Sequence, residues 1–313
     1  MKISFIIPHK GREEMLIKTL QSIFQQDYDQ NELEIFIITQ NLELKQTVEL
    51  ISQRRNVTIL YHDSANTIAK LRNEGAKRAN GQYLAFIDAD VHLSPNWVYQ
   101  VRHDLHARQN RIISSCIQAC EKSAKPLEQL RTALSNFYVD CECHFLPGRN
   151  LFLTTTNFEK IGGFPEHLET CEDYYFTDKA AQLGSLFYSS KASYIHLGED
   201  KSYKELFFKE IWRAKSNLKS LFGRSFNLSE IPSWLAPIGF FIIIMCLSIS
   251  LFTSLNTLTW LSLLVIPISI YAIRGYCLAK RKIGLNQWFI FYLVYLPARS
   301  IGTIWGLFKV LRR

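Results

Sequence analysis

Between Ile231 and Ile273 the chain runs for 43 residues without a charged side chain. At a rise of about 1.5 Å per helical residue, roughly 20 residues cross a bilayer core. The run therefore predicts two spans, 234–253 and 258–278, joined by Ser254-Leu255-Asn256-Thr257. A soluble core helix of that length carries a polar face, and neither segment is patterned to have one. Lys280-Arg281-Lys282 follows the second span, so the positive-inside bias places both flanks in the cytoplasm and the turn outside. A third apolar segment, 288–308, has Arg299 near its middle, Pro297 before it and Lys309, Arg312 and Arg313 behind it. A third crossing would carry those last charges outside. An interfacial or re-entrant helix keeps them inside and is preferred to a span.

The charge balance agrees. Residues 1–230 hold 28 basic and 28 acidic side chains, whereas 231–313 hold eight basic and no acidic ones. The positive excess thus lies in the most apolar part of the chain, where it suits an anionic membrane face. A nucleic-acid partner would want the basic patch on the folded domain, so none is expected. Residues 204–222 place Phe207, Ile211, Leu218 and Phe222 at helical spacing among five basic residues. Region 201–230 is read as a juxtamembrane amphipathic helix, lying on the membrane or packed on a domain. The apolar run in Met1–Pro8 is too short for a secretory signal. The seven cysteines lack framework spacing and read as reduced thiols of a cytosolic domain. Cys116, Cys120, Cys141, Cys143 and His144 match no common zinc spacing, so buried thiols are the expectation there. The chain as a whole is expected to be a multi-pass inner-membrane protein with its first 200 residues cytoplasmic.

Those residues, 1–200, alternate strand and helix. Ile3–Ile7, Leu33–Ile38, Val57–Tyr61 and Tyr83–Ile87 read as strands, with helices over Glu13–Gln25 and Ile68–Ala79. Short apolar strands separated by helices predict an α/β domain with a mainly parallel sheet. Ligands gather at the carboxyl edge of such sheets. At that edge Asp88-Ala89-Asp90 turns two carboxylates to one side, hard donors suited to Mg²⁺ or Mn²⁺ and through it to a diphosphate. Gly162-Gly163-Phe164-Pro165 is a tight loop, followed by Glu172-Asp173 at the start of a helix ending near Leu183. Acids in a first helical turn also serve the helix dipole. His196 follows another strand pattern.

These pieces, in this order, resemble the family-2 glycosyltransferases of the GT-A fold over roughly residues 1–200. The resemblance rests on Ile6-Ile7-Pro8, Arg72-Asn73-Glu74-Gly75, Phe86-Ile87-Asp88-Ala89-Asp90, Ile161-Gly162-Gly163-Phe164-Pro165-Glu166, Glu172-Asp173 and His196. It implies a GT-A (Rossmann-like) catalytic domain followed by a helical membrane region, 231–313. It also implies inverting, metal-dependent transfer of a sugar from a nucleotide-sugar donor to a lipid-linked or glycan acceptor. On that footing Asp90 and His196 would ligate the metal, with Asp88 at the ribose or the metal. Arg72 would face the diphosphate, Pro8 would lie in the loop lining the nucleotide pocket, and Gly148, Arg149 and Asn150 would line the donor-sugar pocket. Asp173 would be the general base with Glu172 beside it. Two departures stand out. An acidic residue usually ends the second strand to read the nucleobase, and here the chain reads Thr39-Gln40-Asn41, so Gln40 or Asn41 would take that place. The Gln-x-x-Arg-Trp signature of processive synthases is missing, which favours single transfer. A non-catalytic membrane module of the same fold, or a nucleotidyltransferase, are the competing readings.

Overall fold

The computed structural model describes residues 1–45, 48, 56–222, 231–253 and 256–311, and the chain divides into two compact units. The first comprises Met1–Glu121 with Tyr138–Gly198, and the second Lys122–Phe137 with Glu199–Arg313. Residues 223–230 of the expected juxtamembrane region, Ser254 and Leu255 of the expected turn, and Arg312 and Arg313 lie outside the described residues.

The first unit is built on β1 (Ile3–His9), β2 (Leu33–Thr39), β3 (Val57–Tyr61), β4 (Tyr83–Ile87), β5 (Val91–Leu93), β6 (Arg111–Ala119), β7 (Cys141–Cys143), β8 (Asn150–Thr154) and β9 (Ser185–His196). The strand order is β3-β2-β1-β4-β8-β6-β9-β5, with β7 also pairing with β9. Strands β1 to β4, β6 and β9 run one way, while β5, β7 and β8 run against them. The expected mainly parallel α/β domain is present, with β8 inserted antiparallel between β4 and β6. Strands β1, β2 and β4 are buried along their whole length, which is why they read as unbroken apolar runs.

Alternation sends Ile3, Phe5 and Ile7 to one face of the sheet and Ile6 to the other. The first face is covered by α1 (Glu13–Phe24), whose Leu16, Leu20 and Ile23 form one stripe, and by α3 (Trp97–His106). The second is covered by α2 (Ile68–Arg78) and, later in the chain, by α5 (Thr155–Ile161) and α6 (Glu172–Leu183). At Gly75 α2 approaches so closely that a Cβ would lie 2.6 Å from Ile6 and 2.8 Å from Ile38. That contact fixes the height of α2 above the sheet.

Chain order reverses between β1 and β4, the place where such sheets open a crevice. Pairing of β1 with β4 stops at Ile6↔Phe86, while β1 stays paired with β2 out to His9↔Thr39. Pro8 has no N–H to extend the ladder. It is buried near the end of β1, in the strand and not in the loop after it. Its part is to end the pairing and let the two strands part.

The second unit contains α4 (Pro126–Ser135), α7 (Tyr203–Ala214), α8 (Ile231–Ser250), α9 (Thr257–Leu278) and α10 (Leu285–Leu311). Helix α4 lies within the region expected to be wholly catalytic. It belongs here because Leu127 and Leu130 share a core with Leu206, Phe240, Ile268, Trp288 and Phe291. Its Arg131 is paired with Glu199, Asp200 and Glu210. Helix α7 buries Leu206, Glu210 and Ala214, and packs on α10 where Gly302 admits the Ile211 carbonyl. Helices α9 and α10 are long and apolar enough to cross a membrane.

Asn150 ties the sheet to its covering helix. It is fully buried at the start of β8, and its Oδ1 accepts from Trp97 Nε1 at 3.2 Å, Ser115 Oγ at 3.0 Å and the Cys116 N–H at 2.9 Å. It clamps α3 and β6 to β8. A buried donor left without its acceptor costs about 1–3 kcal/mol. Asn150→Ala should therefore lower unfolding free energy by about 3 kcal/mol, read by urea denaturation. An unchanged midpoint would contradict the clamp.

Candidate active site

The parallel strands end, and antiparallel β8 begins, on one edge of the sheet. That edge collects His9, Thr39, Asp88, Asp90 and His196 from strand ends and Gly148 and Arg149 from the approach to β8. The start of α6 brings Glu172 and Asp173 to the same group. Cys171, immediately before α6, has φ of 63°, a left-handed conformation uncommon outside glycine, and turns the chain into the helix there.

The centre of the group is Arg72. Its side chain is 2% exposed, and it donates from Nη1 to Glu172 Oε1 at 2.8 Å and from Nη2 to Asp88 Oδ1 at 2.8 Å. Nη2 also reaches the Gly148 carbonyl at 3.3 Å. The guanidinium lies 5.1 Å from the ring centre of Phe164, which stacks on Phe176 at 4.1 Å. Burial alone would weaken the charge on Arg72, but the carboxylates of Asp88, Glu172 and Asp173 outweigh it and raise its pKa. Asp173 accepts from the Gly148 N–H at 3.0 Å and, through its other oxygen, from the Tyr174 N–H at 2.8 Å. A Cβ on Gly148 would sit 2.9 Å from Asp173 Cβ, so this approach needs glycine. The neighbouring Asn73 holds the glycine loop. It donates to the Phe164 carbonyl and to Glu166, and accepts from the Phe164 N–H, each at 2.9 Å.

A second, more open cluster surrounds Asp90. Its Oδ2 lies 3.3 Å from His196 Nε2 and 3.0 Å from Arg12 Nη2, and Arg149 stands 3.2 Å from His196 Nδ1. Burial would raise the Asp90 pKa, but His196, Arg12 and Arg149 prevail and hold it at about 2. Gly198 lets the Asp90 carboxylate and Arg12 pack against the backbone. Arg12 was not singled out in the sequence as a site residue. Its one signal was the basic Lys10-Gly11-Arg12 stretch directly after β1, at the crevice.

The structure thus brings together Arg72, Asp88, Gly148, Glu172 and Asp173 in one group, and Asp90 with His196 in another. Arg72 is buried and is engaged by the Asp88 and Glu172 carboxylates. Asp88 is turned to Arg72, so the expected Asp88, Asp90 and His196 ligand set is not formed. Among the described residues no group of three His, Cys, Asp or Glu side chains is placed to hold an ion. Asp90 with His196 still offers a hard, anionic oxygen beside an imidazole at an open edge, a fit for a divalent cation completed by phosphate oxygens. Gln40 donates to the Asp63 and Asn66 carbonyls at 2.8 and 2.9 Å, so its amide nitrogen shapes a loop. The Asn41 side chain accepts from the Gly11 N–H at 2.7 Å. His9, buried at the end of β1, is bonded through Nδ1 to Thr39 at 2.9 Å, and burial lowers its pKa. Cys116 lies in the core, where burial raises its thiol pKa, and burial pushes Cys143 on β7 up to about 12.

Residues 4–162 match the family described as glycosyl transferase family 2. The poly(ribitol-phosphate) beta-N-acetylglucosaminyltransferase TarS of Staphylococcus aureus is 23% identical over 190 residues, 58% of this chain and 32% of its own. The glycosyltransferase AglE of Haloferax volcanii is 22% identical over 189 residues, 58% of this chain and 62% of its own. The chain therefore spans about a third of the length of TarS and under two thirds of AglE. Among solved structures, the mannosyltransferase PcManGT from Pyrobaculum calidifontis, in complex with GDP-Man and Mn²⁺, superposes with a TM-score of 0.64 at 16% identity. That match covers 97% of this chain and 87% of the other. The crystal structure of S. aureus TarS gives 0.53 at 17% identity, covering 94% and 55%.

Glu172 supplies a test of the buried group. Burial, then the adjacent Asp173, push its pKa up to about 7 against the pull of Arg72. A carboxyl whose folded pKa is raised binds its proton more tightly when folded, so its contribution to stability falls as pH rises from about 4.5 towards 7. Glu172→Gln cannot titrate. The gap in unfolding free energy between wild type and Glu172→Gln should shift against wild type across that window and be flat above it. Denaturation curves at pH 5, 6, 7 and 8 check this.

Proposed function

Since the chain belongs to glycosyl transferase family 2, we propose that it moves a sugar from a nucleoside-diphosphate sugar to a hydroxyl of a glycan or lipid-linked acceptor. The reaction would be a single displacement with inversion, at the cytoplasmic face of the inner membrane. One observation carries the reading: Asp173 stands at the sheet's ligand edge, oriented by the Gly148 N–H, in a group that Arg72 ties to Asp88. A lone oriented carboxylate is what an inverting transfer asks of its base. A glycosidase instead needs a protonated acid on the opposite side of the bond.

Asp173 would take the proton of the acceptor hydroxyl as that oxygen attacks the anomeric carbon. Its partners hold one oxygen on Gly148 and the other on its own helix, so the carboxylate does not need to reorganise. Glu172 would support it through Arg72. On the leaving side Arg12 and Arg149 present positive charge at the edge where the diphosphate departs. Asp90 and His196 would hold a divalent cation, Mg²⁺ or Mn²⁺, which when bound neutralises charge on that leaving group. PcManGT, whose fold this chain shares, was solved with GDP-Man and Mn²⁺, which supports the donor class and the cation. TarS is named for transfer to a poly(ribitol-phosphate), which supports a cell-envelope polymer or its lipid-linked precursor as acceptor class. Helix α9, long and apolar enough to cross a membrane, and the shorter apolar stretch of α8 support attachment to the membrane.

Detergent-solubilised protein is expected to release nucleoside diphosphate, and no pyrophosphate, from one donor in a panel of UDP-, GDP- and dTDP-sugars. EDTA should stop the release. Pyrophosphate as product would instead favour nucleotidyl transfer. Asp173→Asn should lower transfer by about 10²–10⁴-fold while donor binding by calorimetry stays within about threefold of wild type. Loss of donor binding in that variant would defeat the assignment of the base.

A further inference from the structure

Helix α10 differs from α9 in how its surface is divided. On α9 the exposed apolar residues Leu258, Leu261, Leu263, Val265, Ile266, Ile270 and Ile273 spread over more than half of the circumference. On α10, beyond Leu285 at its first residue, they fall in one stripe, Ile290, Leu293, Ile301, Trp305 and Phe308, at spacings that keep them within about a third of the circumference. The opposite side is covered by protein. Tyr292 and Leu296 lie in the core with Leu127 and Leu130 of α4, and Gly302 and Gly306 press against the backbone of α7 and Lys215. Near the midpoint of α10, Arg299 is 3.4 Å from Glu210 of α7, which is also paired with Arg131 and Arg213.

Length does not distinguish a span from a surface helix, since 27 residues reach about 40 Å either way. The neighbours do. Had α10 crossed the bilayer, its midpoint and the flanking α7 would lie in hydrocarbon together, with Lys204, Glu205, Lys209, Glu210, Arg213 and Lys215 in tow. Each charge at the bilayer centre costs about 2.5–3.5 kcal/mol even on the most lenient scale. With α10 on the surface, α4 and α7 stay in water and only the apolar stripe meets lipid. The ends suit that place: Lys280-Arg281-Lys282 precede the helix, Lys309 lies in its last turn, and no acid occurs after Glu230. We propose that α10 lies in the plane of the cytoplasm-facing leaflet, with Ile290, Leu293, Ile301, Trp305 and Phe308 among the acyl chains and the lysines and arginines at its ends on anionic headgroups. This rests on membrane attachment through α8 and α9. It makes α10 a float that holds α7 at the membrane surface.

The test places an environment-sensitive fluorescent amino acid singly at Ile290, Ile301, Phe308 or, in α9, Ile266. The full chain is reconstituted in phosphatidylcholine and phosphatidylglycerol vesicles with lipids spin-labelled near the headgroup or deep in the chain. An epitope appended at the carboxy terminus reports sidedness by protease access. A surface helix gives the same shallow depth, about 5–10 Å below the headgroups, at 290, 301 and 308, a deep site at 266, and the epitope on the side of Asp173. A deep Ile301 between two shallow sites, with the epitope across the membrane, overturns the proposal in favour of a third span. No quenching at the α10 sites beside a quenched Ile266 overturns it in favour of a protein-covered face. No quenching at Ile266 either overturns membrane attachment itself.

Discussion

One buried cation organises the ligand edge. Placing a guanidinium in the interior is costly, and the attraction of its partners offsets that cost only when geometry and hydrogen bonding are both good. Arg72 meets the condition by bridging Asp88 at the end of β4 and Glu172 at the start of α6, over a floor of packed phenylalanine rings. Two segments exactly 100 residues apart, Arg72 and Glu172, are thereby held at hydrogen-bond distance. The position of Arg72 depends in turn on how deeply α2 sits on the sheet, which Gly75 sets against Ile6 and Ile38. Asp173 inherits its place from this chain of contacts, because Gly148 touches both Asp173 and Arg72.

Local patterning made much of the fold legible, and it did so where one face or one period decided the outcome. Apolar runs such as Tyr83–Ile87 were readable as strands because burial on both faces leaves no room for polar residues. Glycine and proline marked the turns. What the sequence could not reveal was the direction of individual polar side chains. Asn150 and Arg149 are neighbours, yet one is locked into the core and the other stands beside His196. Only the register of β8 against β4 and β6 decides which is which. Arg72 was legible as an important residue, but a site arginine and a buried ion-pair arginine look alike until the carboxylates around it are located. Arg12 was overlooked because its partner, Asp90, lies 78 positions away. That helix α4 groups with the second unit was hidden for the same reason: its partners, Glu199 and Glu210, come much later in the chain.

The second unit handles charge differently from a simple membrane hairpin. Arg131, Glu199, Asp200, Glu210 and Arg213 form a buried ionic network at the root of its helices. Burial alone would keep Glu210 and Asp200 protonated, but the surrounding arginines, and Lys209 beside Asp200, prevail and lower both pKa values. Such a network is specific about geometry, since each charge left without its partner is penalised heavily. It joins α4 and α7, which come from water-soluble stretches of sequence, to Arg299 of an otherwise apolar helix.

The two charge clusters at the ligand edge differ most in the exposure of their arginines. Arg72 has 2% of its side chain exposed, whereas Arg12 has 57%. An exposed ion pair contributes about 0–1 kcal/mol, so the contact between Arg12 and Asp90 is easily exchanged for a ligand's phosphate or for a cation. The contacts of Arg72 are not exchangeable in that way, because breaking a buried pair leaves an uncompensated charge at a cost of about 3–5 kcal/mol. Charge that must stay in place during a reaction is therefore buried, and charge that must respond to a ligand is left at the surface. The candidate base is attached to the first kind of cluster, and the residues proposed to face the diphosphate belong to the second. Under the proposed function, a donor would bind and leave without disturbing the carboxylate that would accept the proton.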